Sequence, residues 1–189
     1  MTFQTFYLID RNIIMMVGEY DANGRLCSRV MIGRESLLVE RTPIQLMDDT
    51  LKYISYNLNG AYIGAKDILG DIRLCPVIVN PYQDVCLFPI SSTQKDDCIW
   101  FNPQHIVKTK RIGYKTEVEL SNGISIIVDL RLHSFNSRMQ TALQLWKLSK
   151  DRGNTHNPMT FHHEPKKPHQ LTKLKNGKYN FDTWHKKQG

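Results

Sequence analysis

The sequence predicts an α+β domain dominated by antiparallel β hairpins, with two helices and a flexible basic C-terminal tail. Three observations carry this. Short runs of strand formers alternate with turns bearing Gly, Asn and Asp. Only two stretches show a clear helical period with a start signal. Residues 151–189 lose apolar content and gain Pro, His and Lys. A chain of 189 residues, 41% of them hydrophobic, suffices for one body with a real core, placed at residues 1–150, and an appended tail at 151–189.

The net charge is +7, and its distribution says more than its sum. Residues 1–150 hold 17 Lys or Arg against 15 Asp or Glu, whereas residues 151–189 hold 8 against 3. The body is close to neutral with local basic patches, and the tail is basic. Phosphate-bearing partners or an anionic membrane surface are the candidates for such a balance. No leader with a cleavage site and no run of about 18 apolar residues is present, so the reading is a soluble cytoplasmic protein without a membrane partner. Cys27, Cys75, Cys86 and Cys98 are widely spaced and sit in apolar runs. They read as reduced core thiols rather than metal ligands.

In chain order, residues 3–9, 13–17 and 25–32 are strand-like. Asp21-Ala22-Asn23-Gly24 supplies a hairpin turn between the last two. A further short strand follows at residues 36–40. Thr42-Pro43-Ile44-Gln45 is a helix start, with Thr42 as cap, Pro43 at the first position and Gln45 completing a capping box. Ile44, Met47, Leu51 and Ile54 share a face, so the helix is expected to run to about residue 56. Asp48 and Asp49 diverge on that helix and read as solvated rather than as a metal or acid pair. Residues 57–65 carry Gly60 and Gly64 and read as a loop or frayed helix where backbone approaches a neighbour. Their spacing lacks the phosphate-cradling pattern.

Residues 75–100 pack two apolar runs around Asn80-Pro81-Tyr82-Gln83-Asp84, and Pro89 stops the second strand. This unit is expected to supply the central hairpin. Ser91-Ser92-Thr93 and Lys95-Asp96-Asp97 form a polar loop before Cys98-Ile99-Trp100. Neither a nearby histidine nor a Gly-x-Ser-x-Gly turn accompanies these serines, so a capped loop is the better reading than a nucleophile.

Ile106-Val107-Lys108-Thr109-Lys110-Arg111-Ile112 is strand-like but basic, and Tyr114-Lys115 extends it. It reads equally as a nucleic-acid surface or as an edge strand guarded by lysines. In the next hairpin a three-residue turn at Ser121-Asn122-Gly123 pairs 120 with 124 and 118 with 126. That register puts Val118, Leu120, Ile124, Ile126 and Val128 on one face. Asn136 or Ser137 can cap a second helix in which Met139, Ala142, Leu143 and Trp146 share a face, Arg138, Lys147 and Lys150 face water, and Gly153 is the stop. Trp146 reads as a core anchor. The tail, with Pro158, Pro165 and Pro168, is expected to be disordered when alone. It holds five of the seven histidines, His156, His162, His163, His169 and His185, without the geometry of a real metal site.

The chain resembles the ComK family of competence transcription factors over residues 17–148. The resemblance is carried by Leu26-Cys27-Ser28-Arg29 after a Gly turn, Pro43-Ile44-Gln45-Leu46-Met47-Asp48, Gly60-Ala61 with Gly64, and Val79-x-Pro81. It continues through Leu87-Phe88-Pro89, Ser91-Ser92-Thr93, Cys98-x-Trp100, Ser121-Asn122-Gly123 and Ser134-Phe135-Asn136. Single pieces are weak, but their order and spacing together are specific. The resemblance implies a non-enzymatic, cofactor-free transcriptional activator of genes for DNA uptake and recombination. Such proteins bind paired AT-rich boxes in double-stranded DNA as homo-oligomers, largely through the minor groove. RNA polymerase and a Clp protease adaptor are the further partners it implies. Residues 159–165 depart from the family's apolar degradation-tag segment. Charge placement, not the resemblance, nominates Lys108, Lys110, Arg111 and Lys115 for binding DNA, with Lys52, Lys66 and Arg73 behind them. A protein-interaction module or adaptor with the same fold is the alternative.

Overall fold

The computed structural model describes residues 2–154 and 172–179. Among these residues, seven strands form one sheet in the order β1-β4-β3-β2-β7-β6-β5, and three form a second in the order β10-β9-β8. Every neighbouring pair is antiparallel except β1 with β4. The α+β class and the antiparallel character are therefore as the sequence predicts.

β1 (Thr2–Gln4) is shorter than the apolar run at residues 3–9 suggests. β2 (Ile13–Tyr20) and β3 (Leu26–Ile32) form the expected hairpin, in which Asp21 N–H donates to Arg25 O at 2.9 Å and Gly24 N–H to Asp21 O at 3.0 Å. β4 (Glu35–Val39) pairs with β3. α1 (Pro43–Tyr53) starts as predicted. Thr42 Oγ1 accepts from Gln45 N–H at 3.2 Å, and Gln45 Oε1 accepts from Thr42 N–H at 3.1 Å.

The chain then departs from the sequence expectation. Residues 57–65, read as a loop or frayed helix, open a full helix, because α2 runs over Leu58–Leu69 and makes a third helix among the described residues. Asn57 caps it by accepting from Gly60 N–H at 2.7 Å. Leu58 and Ala65 are buried seven residues apart, with Ala61, Tyr62, Ile68 and Leu69 half-buried between and beyond them. That is a helical period hidden by two glycines. Nothing lies within 4 Å of where a Cβ on Gly64 would stand, so no close backbone approach explains that glycine.

β5 (Val77–Asn80) and β6 (Val85–Pro89) pair as read, but β5 ends the sheet, so this hairpin is an edge and not the centre. β2 takes the middle position, flanked by β3 and β7 (Ile99–Phe101). The polar loop before β7 packs on β2. A Cβ on Gly18 would stand 1.7 Å from Asp96 O, and the Tyr20 hydroxyl donates to Asp96. Cys98 Sγ donates to Ser91 O at 3.5 Å, which closes the loop as a structural element.

The large sheet is buried on both faces. Val30, Val39, Val77, Val79, Leu87 and Trp100 pack with Leu46, Met47 and Leu51 of α1. Met15, Cys86, Phe88 and Phe101 pack on the other side with Phe135, Ala142 and Leu145 of α3 and with Val118, Leu120 and Val128 of the small sheet. All four cysteines are free and buried.

α3 covers Leu132–Gly153 with Arg131 as its N-cap, five residues before Asn136 and six before Ser137, the expected caps. Phe135 is fully buried against Phe88 and Phe101, with centroids 5.7 and 5.5 Å away, so the first turn is held by packing. Asn136 instead accepts a hydrogen bond from Thr109 at 2.9 Å. Arg138 does not face water either. It is half-buried, donates to Ile90 O, and burial pulls its guanidinium below its ordinary value. Residues 172–179 hold a tight turn closed by the Lys173–Tyr179 bridge. The five tail histidines and residues 159–165 lie outside the described residues.

Two glycine variants separate these environments. Gly18→Ala is expected to cost about 1–3 kcal/mol through the clash with the 96 carbonyl, whereas Gly64→Ala gains up to about 1 kcal/mol from helix propensity. Urea midpoints of the two proteins check both signs.

Candidate nucleic-acid interface

A 3-10 turn at Pro103–His105 carries the chain from the large sheet to the small one. Buried Asn102 directs this exit. Its side-chain amide donates to Ile13 O at 3.0 Å and its oxygen accepts from Gln104 N–H at 3.1 Å. β8 (Ile106–Ile112), β9 (Lys115–Leu120) and β10 (Ser125–Val128) then form the small sheet. Gly123 adopts φ 82° in the 121–123 turn. Ile126 pairs with Val118, the register that a three-residue turn predicts.

A bulge in β8 decides where the lysines go. Ile106 pairs with Leu120 and Lys108 with Glu119, so Val107 is the extra residue and is 63% exposed. Side chains alternate along a strand, and one inserted residue reverses the faces beyond it. Ile106 therefore faces α3 together with Thr109, Val118, Leu120, Ile126 and Val128, while Lys108 and Lys110 face the other way. Without the bulge both lysines would share the inner face with Ile106.

The outer face is open. Lys108, Lys110, Ile112, Lys115, Glu119, Ser125 and Ile127 are all exposed on it, and Glu117 is half-exposed. Lys108 stands opposite Glu119, and Lys110 opposite Glu117. Lys115 Nζ lies 3.1 Å from Asp129 Oδ1. The basic strand is thus an edge strand whose cations alternate with carboxylates across the ladder, not a uniform positive sheet.

Arg111 does not join this face. It pairs with Thr116 on the inner side, beyond the end of the core, and its Nε donates to Gly113 O at 3.1 Å. There it meets residues that sequence reasoning missed as a group. Arg111, Gly113, Tyr114, Arg131, Leu132 and His133 line a cavity of about 350 Å³. Arg131 Cζ lies 5.4 Å from the Tyr114 ring centroid, a cation–π contact. Arg131 and His133 carry no motif. Only an earlier start for α3 would have brought them into view.

The other three nominated cations sit elsewhere. Lys52 on α1 pairs with Asp48 at 2.6 Å. Lys66 on α2 pairs with Asp71 at 2.9 Å and shares a cleft of about 760 Å³ with Arg73 and Thr93. None of the three is on the small sheet. Asp49 pairs with Arg41 at 2.9 Å, so both acids of α1 serve ion pairs. Among the described residues no three His, Cys, Asp or Glu gather as a metal site, and no helix is long and apolar enough to cross a membrane.

The family model described as ComK protein matches residues 4–154. A competence transcription factor from Bacillus subtilis (strain 168) is 23% identical over 133 residues, which cover 70% of this chain and 69% of that protein. No solved structure matches the chain.

The Lys52–Asp48 pair has a pH signature. The hydrogen bond from Lys52 and that from Leu58 N–H hold the Asp48 carboxyl below its ordinary value. A lowered folded pKa contributes stability that is present above the unfolded value, about 3.9, and is lost as pH falls through the folded one. Asp48→Asn is expected to lower the melting temperature at neutral pH, with the gap from the native protein closing below about pH 4. Thermal unfolding across that range reads it.

Proposed function

The chain belongs to the ComK family, and from that premise we propose that it is a DNA-binding transcriptional activator of competence genes rather than an enzyme. The observation that carries the reading is the family match over residues 4–154, with a relative named competence transcription factor. On this reading the protein acts in the cytoplasm on AT-rich boxes in double-stranded DNA. It approaches largely through the minor groove and binds paired boxes as a homo-oligomer.

The small sheet supports such an approach. Its outer face is exposed, and it presents Lys108 and Lys110 beside exposed Ile112 and Ile127. A narrow AT-rich minor groove concentrates negative potential, which draws Lys and Arg. Apolar side chains that protrude from a sheet can wedge between base steps there. Lys108, Lys110, Arg111 and Lys115 are the residues proposed to meet DNA, with Lys52, Lys66 and Arg73 secondary because none of the three lies on the small sheet. The segment 151–189, with its 8 bases, adds sequence-independent phosphate affinity to the body at 1–150.

A protein partner is favoured by a separate observation. Tyr53, Tyr56, Ile63 and Tyr82 are exposed, and a groove of about 420 Å³ lined by Gly60, Gly64, Ile68 and Leu145 opens among the helices. On the activator reading this side serves self-association or docking of RNA polymerase or a Clp adaptor. On the alternative reading, an adaptor of the same fold, it is the whole function.

Binding to an AT-box duplex and to a scrambled duplex at matched salt distinguishes the two. Preference for the box is expected, and equal binding removes the activator reading. Substituting Glu at 108, 110, 111 and 115 together is expected to abolish the preference and to flatten the dependence of log K on log salt by about 0.9 for each phosphate that is no longer neutralised. An unchanged slope takes these four residues out of the interface.

A further inference from the structure

We infer that the cavity between the β8–β9 tip and the start of α3 seats one backbone phosphate of bound DNA, gripped by Arg111 and Arg131 with His133 beside them. This rests on the DNA-binding reading and gives it a fixed anchor.

The cavity gathers cations without an acid. Arg111, Arg131 and His133 line it, and among the described residues no Asp or Glu does. Among the same residues the ion pairs engage Arg25, Arg29, Arg41, Lys52, Lys66, Lys115, Lys150 and Arg152, and leave Arg111 and Arg131 without a carboxylate. The nearest acid in sequence, Asp129, is turned to Lys115 at 3.1 Å. Two guanidinium groups facing one cavity repel each other unless an anion lies between them, so an anionic ligand relieves the arrangement.

Both arginines are pre-positioned. Arg111 spends its Nε–H on Gly113 O at 3.1 Å, leaving the terminal nitrogens of the fork for a ligand. Arg131 is held over Tyr114 at 5.4 Å. The start of the 22-residue α3 has no side-chain cap, and its residues Arg131, Leu132 and His133 line the same cavity.

The surroundings favour a polyanion over a single small ion. Lys110 and Lys115 project from the opposite face of the same hairpin, and Tyr114, 76% exposed, stands at its tip. A phosphate seated here would have its neighbours along the strand within the reach of further cations. The seat carries no sequence information. It fixes how the sheet face lies on the duplex.

The experiment uses the full chain and two changes, Arg111→Gln with Arg131→Gln, against AT-box and scrambled duplexes across a salt series. The double variant is expected to bind both duplexes more weakly by the same factor, keep their ratio, and lose about one unit of salt slope. A methylphosphonate scan of the box removes phosphate charges singly. One position should weaken the native protein at least several-fold and leave the double variant unaffected, a signature that a merely destabilised protein would not give. If every methylphosphonate costs both proteins equally, the seat is not there, although the activator reading survives provided the native protein still prefers the box. If the native protein binds both duplexes equally yet the scan still finds the coupled position, the seat stands and the activator reading falls. Inorganic phosphate at matched ionic strength separates the sources. Displacement of duplex from the native protein at low millimolar phosphate would overturn the assignment to polymer phosphate.

Discussion

Phe135 sits between Phe88 of β6 and Phe101 of β7, with its ring turned 69° and 80° to theirs. Almost everything about the small sheet follows from that edge-to-face cluster. Aromatic pairs of this geometry add about 0.5–1.5 kcal/mol each beyond area burial. Their larger effect is positional. Phe135 lies in the first turn of α3, so fixing its ring fixes where the helix begins, and Arg131 and His133 are placed by the same act. The other end of the seat is tied independently, since Thr109 donates to Asn136 on that turn and Thr116 Oγ1 donates to Leu130 O at 2.7 Å. Helix start and hairpin tip cannot drift apart without breaking one of these bonds.

The small sheet is also anchored at its opposite end. His105 links Ser121 Oγ at 2.7 Å and Arg11 O at 2.8 Å through its two ring nitrogens. Asn122 in the 121–123 turn donates to Gly33 O at 2.6 Å. The turn that sets the register of β9 with β10 therefore also touches the β3–β4 hairpin of the large sheet. A one-residue slip of β9 there would move Val118 and Leu120 out of the core and put Glu117 and Glu119 in it. The open face is as well defined as the buried one for this reason.

What the sequence showed and what it hid divide along physical lines. Features written in local chemistry were legible: the Thr42–Gln45 capping box, the Asp21–Gly24 turn, and the three-residue turn with Gly123 at positive φ. Features decided by tertiary packing were not. α2 carries two glycines that lower helix propensity, and its burial of Leu58 and Ala65 outweighs them. α3 starts at a residue with no capping side chain because Phe135 holds it. The β8 bulge has no residue signature, since Val107 is an ordinary strand former, yet it decides that Lys108 and Lys110 face outward and Arg111 inward. Charge along the strand nominated this hairpin, and only the fold shows that it carries two surfaces of different character.

That division bears on how a basic hairpin can discriminate between duplexes. Phosphate affinity is shared by every sequence, so a surface that is simply positive gains binding everywhere and selectivity nowhere. On the proposed reading the two sides of the hairpin do separate work. The cavity of Arg111 and Arg131 is lined by no acid among the described residues and takes the non-specific grip. The outer face sets Glu117 and Glu119 against Lys110 and Lys108, and those carboxylates are repelled by phosphates wherever the duplex lies badly on the sheet. A groove of the right width brings the lysines to the negative floor while holding the strands' phosphates away from the glutamates. A groove of the wrong width cannot satisfy both conditions. Specificity then arises from the penalty on poor fits as much as from attraction to good ones.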